Sequence, residues 1–567
     1  MKEIAILLNK LNIDGYISIR TDIHLNEYIG DSDERIRFIS GFTGSNATII
    51  ITAKENILYT DSRYFIQAKK ELKNGFKLKR MGIDEEIDEY IKNNIKKNKK
   101  VGIDKRFVSS KNFESLSKKL KEAGIELFGI DDLIEKVWKN QPNQKFYPII
   151  SVEGTTGQSY KEKIDELRNK LSGKSAVITE MDAIAWILNL RGRDISYNPL
   201  FYSFLYVNPT RIILFIGKKD LLDNPLDDIE IREYIHFGDF IENEIKNENI
   251  LISQSTNAFI YDKLKLNNTV KYFDDLQKMK SIKNEKEIEG FIKSHIYDGI
   301  ALCKLFEWIE NNIDKLKLTE ESVANQLEVF KRSIDGYLYP SFETISAFGL
   351  NAAVVHHRPT DTLITRDNVL LIDSGSQYLF GTTDVTRTLH FGTPTADQKR
   401  DFTLVLKGAI NARKLKFHKS MSANVLDALS RQFLWEYEKD FGHATGHGVG
   451  YYLNVHESPP NISPSWSEKL YSGEVFSIEP GYYLENSYGI RIEDLVYVKE
   501  VVKDFYKLET LTCVPIQRKM IDVELLEETE IKYLNDYHLF VRSNLWDHLY
   551  GKVGFKFMMD NTEPITK

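Results

Sequence analysis

From residue 1 to about 140 the apolar positions switch repeatedly between helical spacing and the two-residue spacing of a strand. Met1 to Lys10 reads as the first turns of an amphipathic helix, and Ile13 to Ile19 as a strand. The β-branched run Asn46-Ala47-Thr48-Ile49-Ile50-Ile51-Thr52 is a second strand. Asp61-Ser62-Arg63-Tyr64 opens a helix, with Asp61 or Ser62 as its cap. Gly41-Phe42-Thr43-Gly44-Ser45 is a turn and not a phosphate loop, because no helix follows it directly. Gln141-Pro142-Asn143-Gln144 interrupts the pattern as a linker, and a similar alternation then restarts. It predicts a helix over Tyr160 to Leu171, a strand over Ala176 to Thr179, and strands near Phe204 to Val207 and Ile212 to Ile216. Two stretches of like size and texture suggest a duplication. From about Met279 the texture changes. Lys280 to Glu310 predicts one long helix, with Ile282, Ile288, Phe291 and Ile292 near helical spacing. After Tyr337 the chain is strand-rich and punctuated by glycine. The expected organisation is α/β (α+β), divided at 1–140, 141–278 and 279–567.

The 567 residues are too many for one hydrophobic core, which agrees with several domains. Apolar residues at 42% and charged residues at 28% suit an ordinary globular protein. The net charge of −7, from 76 basic and 83 acidic residues, leaves no footprint for nucleic acid. The Lys/Asn-rich stretch from Lys92 to Lys100 reads as a solvated helix end followed by a loop. Cys303 and Cys513 form neither a CxxC nor a disulfide framework, which fits a reducing compartment. The apolar run near the N-terminus is too short for a signal peptide and is cut by Asn9 and Lys10. No run is long enough to span a bilayer. A soluble cytoplasmic protein with neither a nucleic-acid nor a membrane partner is expected.

The chemistry is concentrated after Val369. Val369-Leu370-Leu371-Ile372-Asp373 is an apolar strand running into an acid, and Thr382-Thr383-Asp384-Val385-Thr386-Arg387-Thr388 returns from a glycine-containing turn. This strand-turn-strand pattern places Asp373 and Asp384 near each other across an antiparallel pair, where like charges destabilise the sheet unless a cation lies between them. Taken alone, the pair is equally compatible with a turn of solvated acids. Phe441-Gly442-His443-Ala444-Thr445-Gly446-His447-Gly448-Val449-Gly450 has two histidines four apart, without the glutamate of the helical zinc motif. Its glycines argue for a tight loop that presents imidazoles. His456 adds a third histidine within fourteen positions, in a chain with 12. Val475-Phe476-Ser477-Ile478-Glu479 again ends an apolar strand in an acid, and Pro480-Gly481 turns the chain. In Ile490-Arg491-Ile492-Glu493 the two-residue period puts Arg491 and Glu493 on one face. The candidate ligands are Asp373, Asp384, His447, Glu479 and Glu493. Four carboxylates and one imidazole balance two divalent cations, and a bridging hydroxide would complete a two-metal hydrolytic centre. Oxygen-rich ligation without thiolate favours hard or borderline metals such as manganese over a soft-ligand zinc site, with other divalent metals competing.

At these residues the sequence resembles the pita-bread metallopeptidases, and among them the aminopeptidase P family. The five ligand positions fall in that family's order and inside its local sequences. Asn351-Ala352-Ala353-Val354-Val355-His356-His357-Arg358-Pro359 is similar to its first active-site histidine region, at His356. Phe42-Thr43-Gly44-Ser45 and Thr60-Asp61-Ser62-Arg63-Tyr64-Phe65 are similar to its first domain. Thr512 to Leu539 resembles the C-terminal extension of the long three-domain cytosolic type, here from about 505. The resemblance implies two creatinase-like N-terminal domains, then a pita-bread catalytic domain, in a manganese-dependent homodimer. The implied activity removes the first residue from peptides with proline second. Glu479 is expected to be both ligand and general base. His356, His443 and His456 are implied as catalytic and substrate-binding residues, with Arg491 also at the substrate. The first two domains are expected to narrow access to the site, the second through Arg191-Gly192-Arg193. One departure is Ala444, where the family often has glycine. A prolidase restricted to dipeptides is the main alternative. A methionine aminopeptidase lacks such N-terminal domains, and a creatinase-like enzyme would leave the ligands unexplained. A non-catalytic protein on the same fold is expected to have lost ligands, and none is missing.

Overall fold

A computed structural model describes residues 2–96, 99–224 and 226–567. Met1, and Lys97 and Asn98 of the basic stretch, lie outside these residues. The chain divides into two compact units, Met1–Glu153 with Gln158–Leu276, and Gly154–Gly157 with Gln277–Lys567.

The first unit is built on two six-stranded sheets. In one the spatial order is Phe76–Arg80, Asn56–Thr60, Thr48–Thr52, Gly15–Ile19, Lys100–Ile103 and Glu126–Gly129. In the other it is Glu230–Glu233, Ile212–Ile216, Ser203–Val207, Ser175–Ile178, Asn249–Ile252 and Thr269–Tyr272. Read across, both sheets pair parallel, antiparallel, antiparallel, parallel, parallel. Strand for strand the two topologies are the same, as a duplication would leave them. Strands such as Thr48–Thr52, Ser203–Val207 and Ile212–Ile216 are covered on both faces, so they read as continuous apolar runs. The helix Tyr160–Leu171 starts at a Ser159/Glu162 capping box and ends at Ser172, whose φ of 51° turns the chain out of the helix. Asp61 caps the short 3-10 turn Ser62–Tyr64 ahead of the helix Phe65–Glu71. Arg191, in the segment expected to narrow access to the site, is 1% exposed and donates to the carbonyls of Ala185 and Leu190. Its guanidinium therefore braces its own unit.

The second unit differs from expectation at its start. The long helix begins at Glu285 and runs to Asn312, because Asn284 caps it and Glu287 closes a capping box. Residues 282–284 break the chain between it and the helix Asp275–Ser281. The Asn284 side chain also donates to the Thr156 carbonyl at 2.8 Å, which draws residues 154–157 into this unit. A six-stranded sheet runs in the order Lys416–His418, Phe505–Thr510, Asp494–Val502, Val475–Ile478, Gly446–Gly448, Glu457–Ile462. A three-stranded sheet pairs Ile345–Phe348, Val369–Ser374 and Val385–His390, and a hairpin joins Gly481–Leu484 to Tyr488–Arg491. The core packs helix Glu285–Asn312, helix Ala396–Arg413 and the C-terminal helix Glu528–Leu549 onto these strands. No helix among the described residues is long and apolar enough to cross a membrane.

Candidate metal centre

Strands Val369–Ser374 and Val385–His390 pair in a register that sets Asp373 opposite Thr386. Asp384 stands two residues before Thr386, on the same face and diagonal to Asp373. Glu479 directly follows the strand Val475–Ile478. Glu493 lies between the strands Tyr488–Arg491 and Asp494–Val502, and its N–H donates to the Thr386 carbonyl at 3.2 Å. His447 corrects the sequence expectation of a loop, since it occupies the short strand Gly446–Gly448. Its flanking glycines serve close strand packing. A Cβ at Gly446 would lie 1.7 Å from the Ser477 carbonyl oxygen. Of the two, only His443 is carried on a loop.

The structure brings the expected ligands together. Asp384, His447 and Glu493 each offer one ligand atom, all within 4.8 Å of one another. His447 Nε2 is 3.6 Å from Asp384 Oδ2 and 3.4 Å from Glu479 Oε1. Asp373 Oδ2 accepts from Arg491 Nη2 at 2.6 Å, while its buried Oδ1 has no hydrogen-bond partner among the described residues. Burial pushes the Asp384 carboxyl well above the ordinary range, and the charges of Glu493, Asp373 and Glu479 push it further. Glu493 is driven the same way, by burial and then by Glu479 and Asp373. Glu479 is pushed up to about 7, chiefly by burial, with Arg491 opposing the shift.

This donor set fits a cation. His447 Nδ1 lies 2.9 Å from the Gly448 carbonyl, a contact that makes Nδ1 the protonated nitrogen. The Nε2 lone pair then faces carboxylates that, once ionised, have no proton to give it. One guanidinium cannot neutralise four ionised acids, so they stay ionised together only if a bound ion adds positive charge.

Three neighbours missed in the sequence hold these groups. Thr386 Oγ1 donates to Glu493 Oε2 at 2.8 Å. Ser477 Oγ accepts from the His447 N–H at 3.1 Å and donates to Glu479 Oε1 at 3.2 Å. Tyr483 links Arg491 to His443, since its hydroxyl accepts from Arg491 Nη1 at 2.9 Å and lies 2.8 Å from His443 Nε2. Each could have been sought at a two-residue offset from an acid, or, for Tyr483, in the strand that follows the Pro480-Gly481 turn. Arg491, expected at the substrate, is 1% exposed and spends its donors on Asp373, Tyr483 and Thr386.

Of the other histidines, His456 packs its ring 4.3 Å from that of His447. His356 follows Val355, whose carbonyl accepts from Arg491 Nη2 at 3.4 Å. The segment before it rests on Gly489, where a Cβ would lie 1.8 Å from the Ala352 oxygen. Gly489→Ala is therefore expected to cost about 1–3 kcal/mol of stability and to reduce peptidase activity, because the loop must shift. Chemical denaturation alongside kinetics checks it, and unchanged values in both would show that the loop yields freely.

Comparison with known proteins gives a consistent picture. Residues 289–500 match metallopeptidase family M24, and 504–565 match the C-terminal region of peptidase M24. Residues 2–137 and 140–287 each match a creatinase/prolidase N-terminal domain. A probable Xaa-Pro aminopeptidase P of Pyrenophora teres f. teres is 38% identical over 95% of this chain and 88% of its own. Xaa-Pro aminopeptidase 1 of Dictyostelium discoideum is 35% identical over 95% and 91% respectively. The crystal structure of an X-prolyl aminopeptidase from Caenorhabditis elegans, described as a cytosolic enzyme with a di-nuclear active site, superposes with a TM-score of 0.93. It shares 34% identity, over 97% of this chain and 95% of that one.

Proposed function

The chain belongs to the Xaa-Pro aminopeptidase P family of M24 metallopeptidases, and on that premise we propose that it hydrolyses the bond before proline at position two, releasing the first residue. It is a metallopeptidase with creatinase-type N-terminal domains and a pita-bread catalytic region. The observation that supports the reading is the clustering of Asp384, Glu479 and Glu493 with His447, and of Asp373 close enough to raise the Asp384 carboxyl pKa. Our domain division is 1–140, 141–278 and 279–567, with an extension from about 505. Asp373, Asp384, His447, Glu479 and Glu493 would hold two divalent ions, of which manganese suits the oxygen-rich set. We further propose that it acts in the cytoplasm, as the Caenorhabditis elegans enzyme is described as cytosolic, and as a homodimer, which rests on the family resemblance of the sequence alone.

Bound divalent ions supply Lewis-acid polarisation of a carbonyl and lower the pKa of water. The chain's own residues do the rest. Glu479 is the general base, taking a proton at the carboxylate oxygen that Ser477 does not hold. Arg491 acts through Asp373, fixing Oδ2 rather than touching peptide. His356, His443 and His456 surround the substrate, donate to the oxyanion and return a proton to the leaving nitrogen. That nitrogen belongs to proline, whose amide has no N–H, so the site needs no acceptor for one.

The test is hydrolysis of Arg-Pro-Pro, Ala-Pro and Arg-Ala-Ala by metal-stripped protein with and without manganese. Manganese-dependent release of arginine from Arg-Pro-Pro, with Arg-Ala-Ala untouched, is the expected result. Cleavage of Ala-Pro alone would mean a prolidase, and no cleavage with any metal would sink the peptidase reading.

A further inference from the structure

We propose that Glu320 is the positioning residue for His356, a role that rests on the reaction proposed above. Glu320 opens the helix Glu320–Arg332 and is fully buried. Among the described residues no lysine or arginine pairs with it. Its two oxygens instead accept five hydrogen bonds from one stretch of chain. Oε1 takes the Phe348 N–H at 2.7 Å and Asn351 Nδ2 at 2.9 Å. Oε2 takes His357 Nε2 at 2.8 Å, Thr360 N–H at 3.0 Å and Thr360 Oγ1 at 2.7 Å. The stretch answers in kind, since the Glu320 and Glu321 N–H groups donate to the carbonyls of Thr362 and Thr360 at 3.1 Å each. These are helix-start donors that otherwise lack a partner.

The segment so held, residues 348–360, carries His356. It has one short 3-10 turn, Gly349–Ala353, and no sheet ladder around the histidine to fix its backbone. On its far side Arg491 meets the Val355 carbonyl and Gly489 meets Ala352. The segment is therefore clamped between the Glu320 carboxylate and the guanidinium that holds Asp373. Of the two adjacent imidazoles, His357 is committed to Glu320, which sets the orientation of His356 beside it. A carboxylate is required because all five partners are donors. An amide at this position turns one oxygen into an NH₂ that faces N–H groups.

The experiment is a double-mutant cycle on the manganese-loaded full chain with Arg-Pro-Pro. Wild type, Glu320→Gln, His356→Ala and the double variant are compared, with melting temperature and metal content measured on each. Glu320→Gln is expected to lower kcat by about 10- to 100-fold, the scale of an ångström-sized misplacement, with KM within about threefold and metal content unchanged. In the His356→Ala background it should have no further effect on kcat. If Glu320→Gln does not fold, His357→Ala stands in for it, and His357→Gln should recover part of the loss by restoring a donor. Losses that multiply in the double variant, or a His356→Ala enzyme as active as wild type, overturn the proposal. A wild type inert towards Arg-Pro-Pro under every metal would instead overturn the aminopeptidase reading, and the inference with it.

Discussion

Asp384→Asn is expected to lower kcat/KM on Arg-Pro-Pro by roughly 10³-fold, the rate equivalent of about 4 kcal/mol, while the metal-free protein melts at a higher temperature than wild type. The two halves of the result have one cause. Without a cation, Asp384 is a buried charge among Glu493, Asp373 and Glu479, so ionising it costs the fold. An amide of the same shape removes that repulsion. With the cation the balance reverses, because the ion that binds the wild type stabilises it in proportion to its affinity. Added manganese should therefore raise the melting temperature of wild type more than that of the variant. Calorimetry of both proteins with and without manganese, alongside elemental analysis, reads all of this. A variant with full metal content and full activity would remove Asp384 from the site.

Asp494→Ala is expected to cost about 3–5 kcal/mol of stability, the scale for breaking a buried ion pair from one side. Asp494 Oδ1 accepts from Arg387 Nη2 at 2.7 Å, and Oδ2 pairs with Arg413. All three side chains are buried, so the variant leaves two guanidinium groups without their shared counter-ion. Arg387 also donates to the carbonyls of Glu493 at 2.7 Å and Val514 at 2.8 Å, and to the Tyr537 hydroxyl at 2.8 Å. The loss should thus extend both to the C-terminal helix and to the backbone that aims Glu493. Urea denaturation would measure it, with manganese titration as a second readout expected to show weaker binding. A change below about 1 kcal/mol would mean that water reaches the arginines.

Much of this site is legible because acids at the ends of apolar strands are costly and conspicuous. Asp373 and Glu479 stand out for that reason, and the two-residue period correctly groups Arg491 with Glu493. Register is not legible. Only the pairing of Asp373 with Thr386 reveals that Asp384 lies diagonally across the pair. The glycines around His447 count against a helix in any reading, yet the reason for Gly446 is a neighbouring strand about thirty residues on, at Ser477, and for Gly448 the strand at Glu457. The break at 282–284 is missed because Ile282 continues the helical spacing, whereas Asn284, as an N-cap, starts a new helix. Glu320 is hidden most deeply. In sequence it is an ordinary acid in the first turn of a helix, favourable there for its charge alone. Its partners lie 28 to 40 positions later and share no pattern with it.

The four residues Gly154–Gly157 have a consequence for how the molecule is made. They are synthesised within the first unit but belong to the second, tied by the Asn284 side chain to Thr156 and by the Tyr451 hydroxyl to Thr155 at 3.1 Å. During vectorial synthesis this segment leaves the ribosome long before its partners exist, and its carbonyls stay with water until then. The second unit therefore closes around a piece delivered early. No single cut in the chain separates the two units cleanly, and a fragment beginning at Gln277 would present Asn284 and Tyr451 with donors that have lost their acceptors.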